Sequence, residues 1–194
     1  MTTTSVRRVA LPRPDEAALR RRFDRDIWDR LVRPGDRVPS MPLLEADLGP
    51  IHLDRLRLTG PVVLVFFAHG SAEPDDRALA GYQRDLVPAL DAAGAHLVAV
   101  SPQLPQRLVD LKRRHDLSYF VAADVRHALI DAFNIGYDAP GADVVLGTRR
   151  SVLPFPSAVV ADRTGTVRYA DVRAAGAPHP EAGLLRAAVA TLPS

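Results

Sequence analysis

Cysteine is absent from all 194 residues, and its absence removes a whole region of chemistry. Disulfides, thiolate nucleophiles, cysteine-ligated zinc, iron–sulfur clusters and sulfur redox relays each need a thiolate. Lysine is nearly absent too: of 25 Lys and Arg residues, Lys112 is the only lysine. The net charge is only +2, and acids interleave with the arginines, as where Asp24 and Asp26 flank Arg25 just after Arg20, Arg21 and Arg22. That alternation describes a solvated, salt-bridged face rather than a stripe that tracks phosphates, so no nucleic-acid partner is expected. No run approaches the roughly 18 to 20 apolar residues of a membrane span, and residues 1–12 carry too short an apolar stretch for a secretory signal. The expectation is a cytoplasmic protein with no membrane partner.

Several short motifs are missing as well. There is no G-x-G-x-x-G and no G-x-x-x-x-G-K-[ST], hence no sign of a nucleotide cofactor, and no G-x-S-x-G elbow. His52, His96, His115, His127 and His179 stand on separate elements without an H-x-H or H-x-x-x-H pair, so neither a metal nor any other cofactor is expected.

The chain does have an ordinary soluble composition, 47% hydrophobic and 25% charged, and it is long enough to bury a core without a covalent staple. Leu19, Phe23, Ile27 and Leu31 recur every four residues and Trp28 widens the stripe, which predicts a helix over 14–32 ended by Pro34-Gly35. Residues 1–34 are read as a helical extension and 35–194 as the domain. The run Ile51 to Leu56 suggests a small edge hairpin, and Pro61 to Phe67 reads as a strand covered on both faces. A helix from about Pro74 to Ala93 and a strand His96 to Ser101 complete a βαβ unit with a right-handed crossover. A helix near 104–115, a strand Tyr119 to Ala122 and a helix opened by Asp124 come next. After an irregular excursion over Tyr137 to Leu153 there are a hairpin, Ser157 to Ala161 and Val167 to Ala170, and a closing helix, Leu184 to Leu192.

Four pieces of this α/β pattern fall in a telling order: Gly35-Asp36-Arg37-Val38-Pro39, Val63 to Phe67, Leu97 to Pro102, and Asp162 to Val167. In that order and spacing the sequence resembles the alkyl hydroperoxide reductase/thiol-specific antioxidant (AhpC/TSA) family, the peroxiredoxins, and in particular the subgroup with a leading helical extension. The match runs from about Gly35 to Leu192. It implies a thioredoxin-like fold of the peroxiredoxin type, a central mixed sheet flanked by helices, and a homodimer of the kind that related peroxiredoxins form.

The family's chemistry lies directly after the first of those strands: a Thr or Cys, two residues, then the peroxidatic Cys in the first turn of a helix. Here Ala72 falls at the Thr/Cys position and Asp75 at the peroxidatic one, while the supporting Arg would fall near Pro156. No functional residue of the family transfers. A carboxylate has neither the nucleophilicity nor the reversible oxidation ladder of a thiolate, so thiol peroxidase activity is excluded.

The geometry of a loop feeding a helix N-terminus remains, with its unpaired N–H groups and partial positive charge. Ser71, Glu73 and Asp75 beside Pro74 fit plain helix capping; they equally fit a general acid/base or polar anchor in the old pocket. His69 leaves a buried strand at the carboxyl edge of the sheet, where ligand-contacting groups collect, and could shuttle protons with Asp75 orienting it. The candidate catalytic residues are therefore His69, Asp75 and Glu73. Candidate substrate contacts are Phe67, Ser71 and Pro156, the last where thioredoxin-like folds place a cis-proline, with Arg149 and Arg150 as a bidentate clamp for an acidic group. The expected activity is cofactor-free acid–base chemistry on a small organic substrate of specialised metabolism: elimination, isomerisation, cyclisation or hydrolysis in a pocket between 67–75 and 154–157. The reading from another class is a non-catalytic binding or scaffold protein that keeps the fold and the dimer faces.

Overall fold

Val62 to Phe66 form β3, and every side chain of the strand is buried, because it lies in the middle of a sheet covered on both faces. Its neighbours are β4 (His96–Ser101), parallel, and β8 (Ser157–Ala161), antiparallel. Adding β1 (Pro42–Glu45), β2 (Gly49–His52), β5 (Phe120–Ala123) and β9 (Val167–Val172) gives seven strands in the order β2-β1-β5-β4-β3-β8-β9. This is a computed structural model, which describes residue 27 and residues 29–70 and 73–192. Period-two alternation splits the apolar run between two cores. Val63, Val65 and Phe67 belong to one, and Val62, Leu64 and Phe66 to the other.

The helices are α1 (Leu53–Thr59), α2 (Glu73–Asp85), α3 (Val87–Ala92), α4 (Pro105–Arg114), α5 (Ala128–Ala132), α6 (Ala142–Leu146) and α7 (Ala182–Ala190). Several depart from the sequence reading for identifiable reasons. The helix expected over 74–93 is broken at Leu86 into α2 and α3. Pro88 has no N–H for the Arg84 carbonyl, and its ring crowds that carbonyl. The stripe survives the break, since Leu79, Leu86 and Leu90 are all buried. The edge hairpin is β1 with β2 rather than Ile51 to Leu56, which straddles the end of β2 and the start of α1. Asp124 opens a helix only at a distance: its carboxylate accepts the N–H groups of Ala128, Leu129 and Ile130 at 2.8, 2.9 and 3.0 Å, and α5 is just five residues long. The excursion over 137–153 carries a small two-stranded sheet, β6 (Gly136–Asp138) with β7 (Val152–Pro154), and α6 between them.

The N-terminal helix expected over 14–32 lies outside the described residues except at its end. There Leu31 and Val32 are buried, and the Val32 N–H bonds the Phe133 carbonyl at 3.0 Å. Among the described residues no helix is long and apolar enough to cross a membrane.

Candidate functional site

The parallel strands β3 and β4 end side by side, and the loop that leaves β3 is bolted to the end of β4, the turn after it and α4. Phe67 extends the ladder through its N–H to the Val100 carbonyl at 3.1 Å. Beyond it, the Ser101 hydroxyl donates to the Ala68 carbonyl at 3.0 Å, and the Gly70 N–H donates to Oε1 of buried Gln103 at 2.8 Å. Arg114, at the end of α4, donates to the Gly70 carbonyl at 3.2 Å. A Cβ on Gly70 would lie 2.8 Å from the Leu111 side chain, so the loop can pack this closely on α4 only with glycine there.

Asp75 sits in the first turn of α2, where the helix dipole favours an anion, and is only 6% exposed. Its Oδ2 accepts the backbone N–H groups of Ala68 and His69 at 3.1 and 3.0 Å. Its Oδ1 lies 2.6 Å from Nε2 of His179, itself only 9% exposed. An ionised carboxylate has only acceptors, so Nε2 is the donor of this bond. Nδ1 of His179 is enclosed and has no hydrogen-bond partner among the described residues, and Nδ1 of His69 is in the same condition.

His179 arrives on the segment 173–181 between β9 and α7, which is held at both ends. Arg173 pairs with Asp171, Nη2 to Oδ2 at 2.9 Å, and its Nη1 donates to the carbonyls of Pro178 and His179 at 3.3 and 3.1 Å. Burial is the largest influence on the Arg173 charge and works against it, but the hydrogen bond to Asp171 and the attraction of Asp171, Tyr169 and Tyr82 together hold the guanidinium above its usual pKa. On the far side the Tyr82 hydroxyl donates to the Pro180 carbonyl at 2.6 Å, and burial pushes that phenol well up, which keeps it a donor. Tyr137, half-buried and stacked on Phe155 with ring centroids 4.8 Å apart, is also held protonated, by burial first and then by the negative charge of Asp75.

A groove of about 460 Å³ runs between α2 and residues 176–182. Pro74, Ala78, Gly81, Tyr82, His179 and Pro180 are among its lining residues. It is not the pocket expected from the sequence: of the described residues of 67–75 only Pro74 lines it, and none of 154–157 does.

The candidate residues are thus dispersed. His69 is half-buried and reaches Asp75, though through its backbone N–H rather than its ring. Phe67 is a core residue, 1% exposed. Glu73 is the first residue of α2, and Ser71 lies outside the described residues. Arg149 is exposed. Arg150 is engaged in a two-pronged pair with Asp131 at 2.7 and 3.0 Å and in a bond to the Arg126 carbonyl. The peptide bond before Pro156 is trans, there being no cis bond among the described residues. The Pro156 carbonyl accepts the Arg173 N–H at 2.9 Å, so this proline anchors the start of the His179 segment. Among the described residues no group of three His, Asp or Glu is placed to hold a metal ion. His179 is the residue that sequence reasoning missed. Its one local signal is Pro178-His179-Pro180, a histidine fixed between two prolines just ahead of a helix.

Comparison with known proteins bears on the fold. The sequence profile of the AhpC/TSA family matches residues 34–170. No curated protein matches the chain. Among solved structures, a peroxidoxin BcpB from Mycobacterium tuberculosis is 18% identical with a TM-score of 0.71, over 84% of this chain and 99% of that one. Reduced Prx3 from Vibrio vulnificus, solved in complex with H2O2, is 20% identical with a TM-score of 0.68, over 82% and 99%. A bacterioferritin comigratory protein from Xanthomonas campestris is 20% identical with a TM-score of 0.64, over 82% and 96%.

Proposed function

Because the chain belongs to the AhpC/TSA family and yet has no cysteine, we propose that it carries out thiol-free acid–base chemistry on a small organic molecule. The observation that carries this reading is the buried Asp75 carboxylate with two histidines on it, the His179 ring at 2.6 Å and the His69 backbone N–H at 3.0 Å. His69 is the outer of the two. Its ring belongs to a half-buried residue, and Nδ1 is enclosed without a partner, so this reading assigns Nε2 to the substrate. In the proposed step a C–H or O–H proton of the substrate passes to Nε2 of His69. The bonding pair left behind either expels a leaving group or is reprotonated elsewhere, giving elimination or isomerisation. Asp75 and His179 position the loop that carries His69, and the carboxylate supplies negative potential beside the imidazolium as it forms. Glu73, at the start of the same helix, is a second proton carrier in this reading. The rival reading, a binding or scaffold protein, has its own support: all three donors on Asp75 belong to the protein, as a structural staple would require. A homodimer is part of either reading.

Turnover of 5-nitrobenzisoxazole, whose ring opens when a base removes its one acidic C–H proton, tests the acid–base reading. The wild-type protein is expected to exceed buffer, and His69→Gln to lower the rate about 10²-fold with an unchanged melting temperature. A wild-type rate equal to buffer, or equal rates for the two proteins, would favour the scaffold. Hydrogen peroxide supplied with a thioredoxin system is expected to be consumed no faster with the protein than without it, since no thiolate exists to attack the O–O bond.

A further inference from the structure

The outer face of α2 holds a residue that a helix disfavours. Gly81 lies inside the 13-residue run Glu73–Asp85, and glycine in a helix interior costs about 1 kcal/mol relative to alanine. Two circumstances usually account for such a glycine: a left-handed φ, or a neighbour so close that a Cβ would strike it. Neither holds here. Gly81 is not among the positive-φ glycines, and a Cβ built on it would meet nothing within 4 Å. Gly136 shows the contrast, since its Cβ would come within 2.9 Å of Val152.

The open space beside Gly81 is the groove. Ala78, one turn earlier on the same face, continues a floor that carries no more than a methyl group, and Tyr82 and Pro180 also line the groove. At about 460 Å³ the cleft falls within the roughly 300–1,000 Å³ typical of small-molecule sites. A second observation comes from the wall. His179 is nine-tenths buried, lines the cleft and keeps Nδ1 without a partner. With Nε2 engaged by Asp75, Nδ1 is a buried polar nitrogen left unpaired, a cost that a ligand's hydroxyl, donor and acceptor at once, would recover. The charged groups of the lining are Arg77 on one side of the balance and Asp85 and Glu181 on the other, which disfavours an anion.

We propose that the groove between α2 and residues 176–182 is a binding cleft for a flat, non-anionic, ring-bearing molecule that presents one hydroxyl to Nδ1 of His179. Flatness follows from the Ala78–Gly81 floor, the lack of an anionic group from the lining charges and the hydroxyl from the unpaired ring nitrogen. Nδ1 is covered while the cleft is unfilled, so binding entails a small turn of the imidazole. The cleft and its ligand stand whether or not His69 moves a proton.

Titrating the full-length, ¹⁵N-labelled protein with 2-naphthol tests this by NMR. Saturable shifts are expected at the Ala78 and Gly81 amides and at the ring nitrogens of His179, with 2-naphthoate binding at least tenfold more weakly. Gly81→Leu places its Cβ in open space, projects into the cleft and improves helix propensity, so this variant is expected to melt no lower than wild type and to bind 2-naphthol at least tenfold more weakly. The proposal is overturned if wild type shows no saturable shift at these residues, if the Gly81→Leu variant binds as well as wild type, or if the naphthoate binds as well as the naphthol. Neither outcome touches the benzisoxazole assay at His69, so the two proposals fail separately.

Discussion

Asp75→Ala is expected to destabilise the protein by about 4 kcal/mol, lowering the melting temperature by roughly 10 °C. The carboxylate is buried and accepts from three groups, the Ala68 and His69 N–H and the His179 ring. Alanine leaves all three donors in place with nothing to receive them, and each buried unpaired donor costs about 1–3 kcal/mol. The loss spreads beyond the site, since this side chain's bonds tie the loop 68–70 to the segment 173–181. Asp75→Asn keeps one acceptor oxygen and the shape, so it is expected to cost about half as much. Urea denaturation checks the pair. If Asp75→Ala stays within about 1 kcal/mol of wild type, the carboxylate holds nothing and the interpretation of the site fails.

Gly60→Ala is the second large effect, and its cause lies at the opposite end of β3. Gly60 stands between α1 and β3 with φ −176°, a backbone any residue adopts. Its Cβ would sit 1.7 Å from the Gly94 carbonyl oxygen and 2.9 Å from its carbon. Both contacts are to backbone, so no side-chain rotation relieves them. Gly94 is itself in a turn at φ +62°, directly ahead of β4, whose first residue bonds back to Pro61 at 2.8 Å. Separating the two turns therefore pulls at the β3–β4 ladder. The expected cost is about 3 kcal/mol or more, at the upper end of overpacking, with a melting temperature lower by roughly 10 °C. Calorimetry of Gly60→Ala beside Gly81→Ala makes the contrast sharp. The first should fall steeply and the second should hold or rise, because one Cβ meets a carbonyl and the other meets open space. Equal melting temperatures would contradict the packing described.

How much of this the sequence announced depends on whether the signal was local. β3 was legible because five consecutive buried residues leave an unbroken apolar run, and the Asp162 hairpin because its turn chemistry is written in four adjacent residues. The break at Leu86 was less legible. Pro88 was visible, but Leu86 and Leu90 stay on the buried face on either side of it, so the stripe reads through the break. Asp124 announced a helix start correctly and its position poorly, since its carboxylate reaches over four to six residues to find its N–H partners.

The site divides the same way. Asp75 could be placed by collinearity with the family's peroxidatic position, and His69 by its location on the loop after β3. His179 could not, for it lies 104 residues from Asp75 in the chain and no spacing rule connects a helix's first turn to a segment after the last strand. Residues singled out for their chemistry were often already committed: Arg150 to Asp131, Phe67 to the core. The cavity followed from neither, because it is made by the absence of a side chain at Gly81 and the path of 176–182.

Asp75, in the first turn of α2, and His179 form one buried pair. The ¹⁵N NMR spectrum of the His179 ring tests this most directly. The structure predicts a ring whose Nε2 carries a proton held by the Asp75 carboxylate and protected there from solvent exchange. A ring that averages between tautomers, or whose Nε2 proton exchanges as freely as that of an exposed histidine, would contradict it.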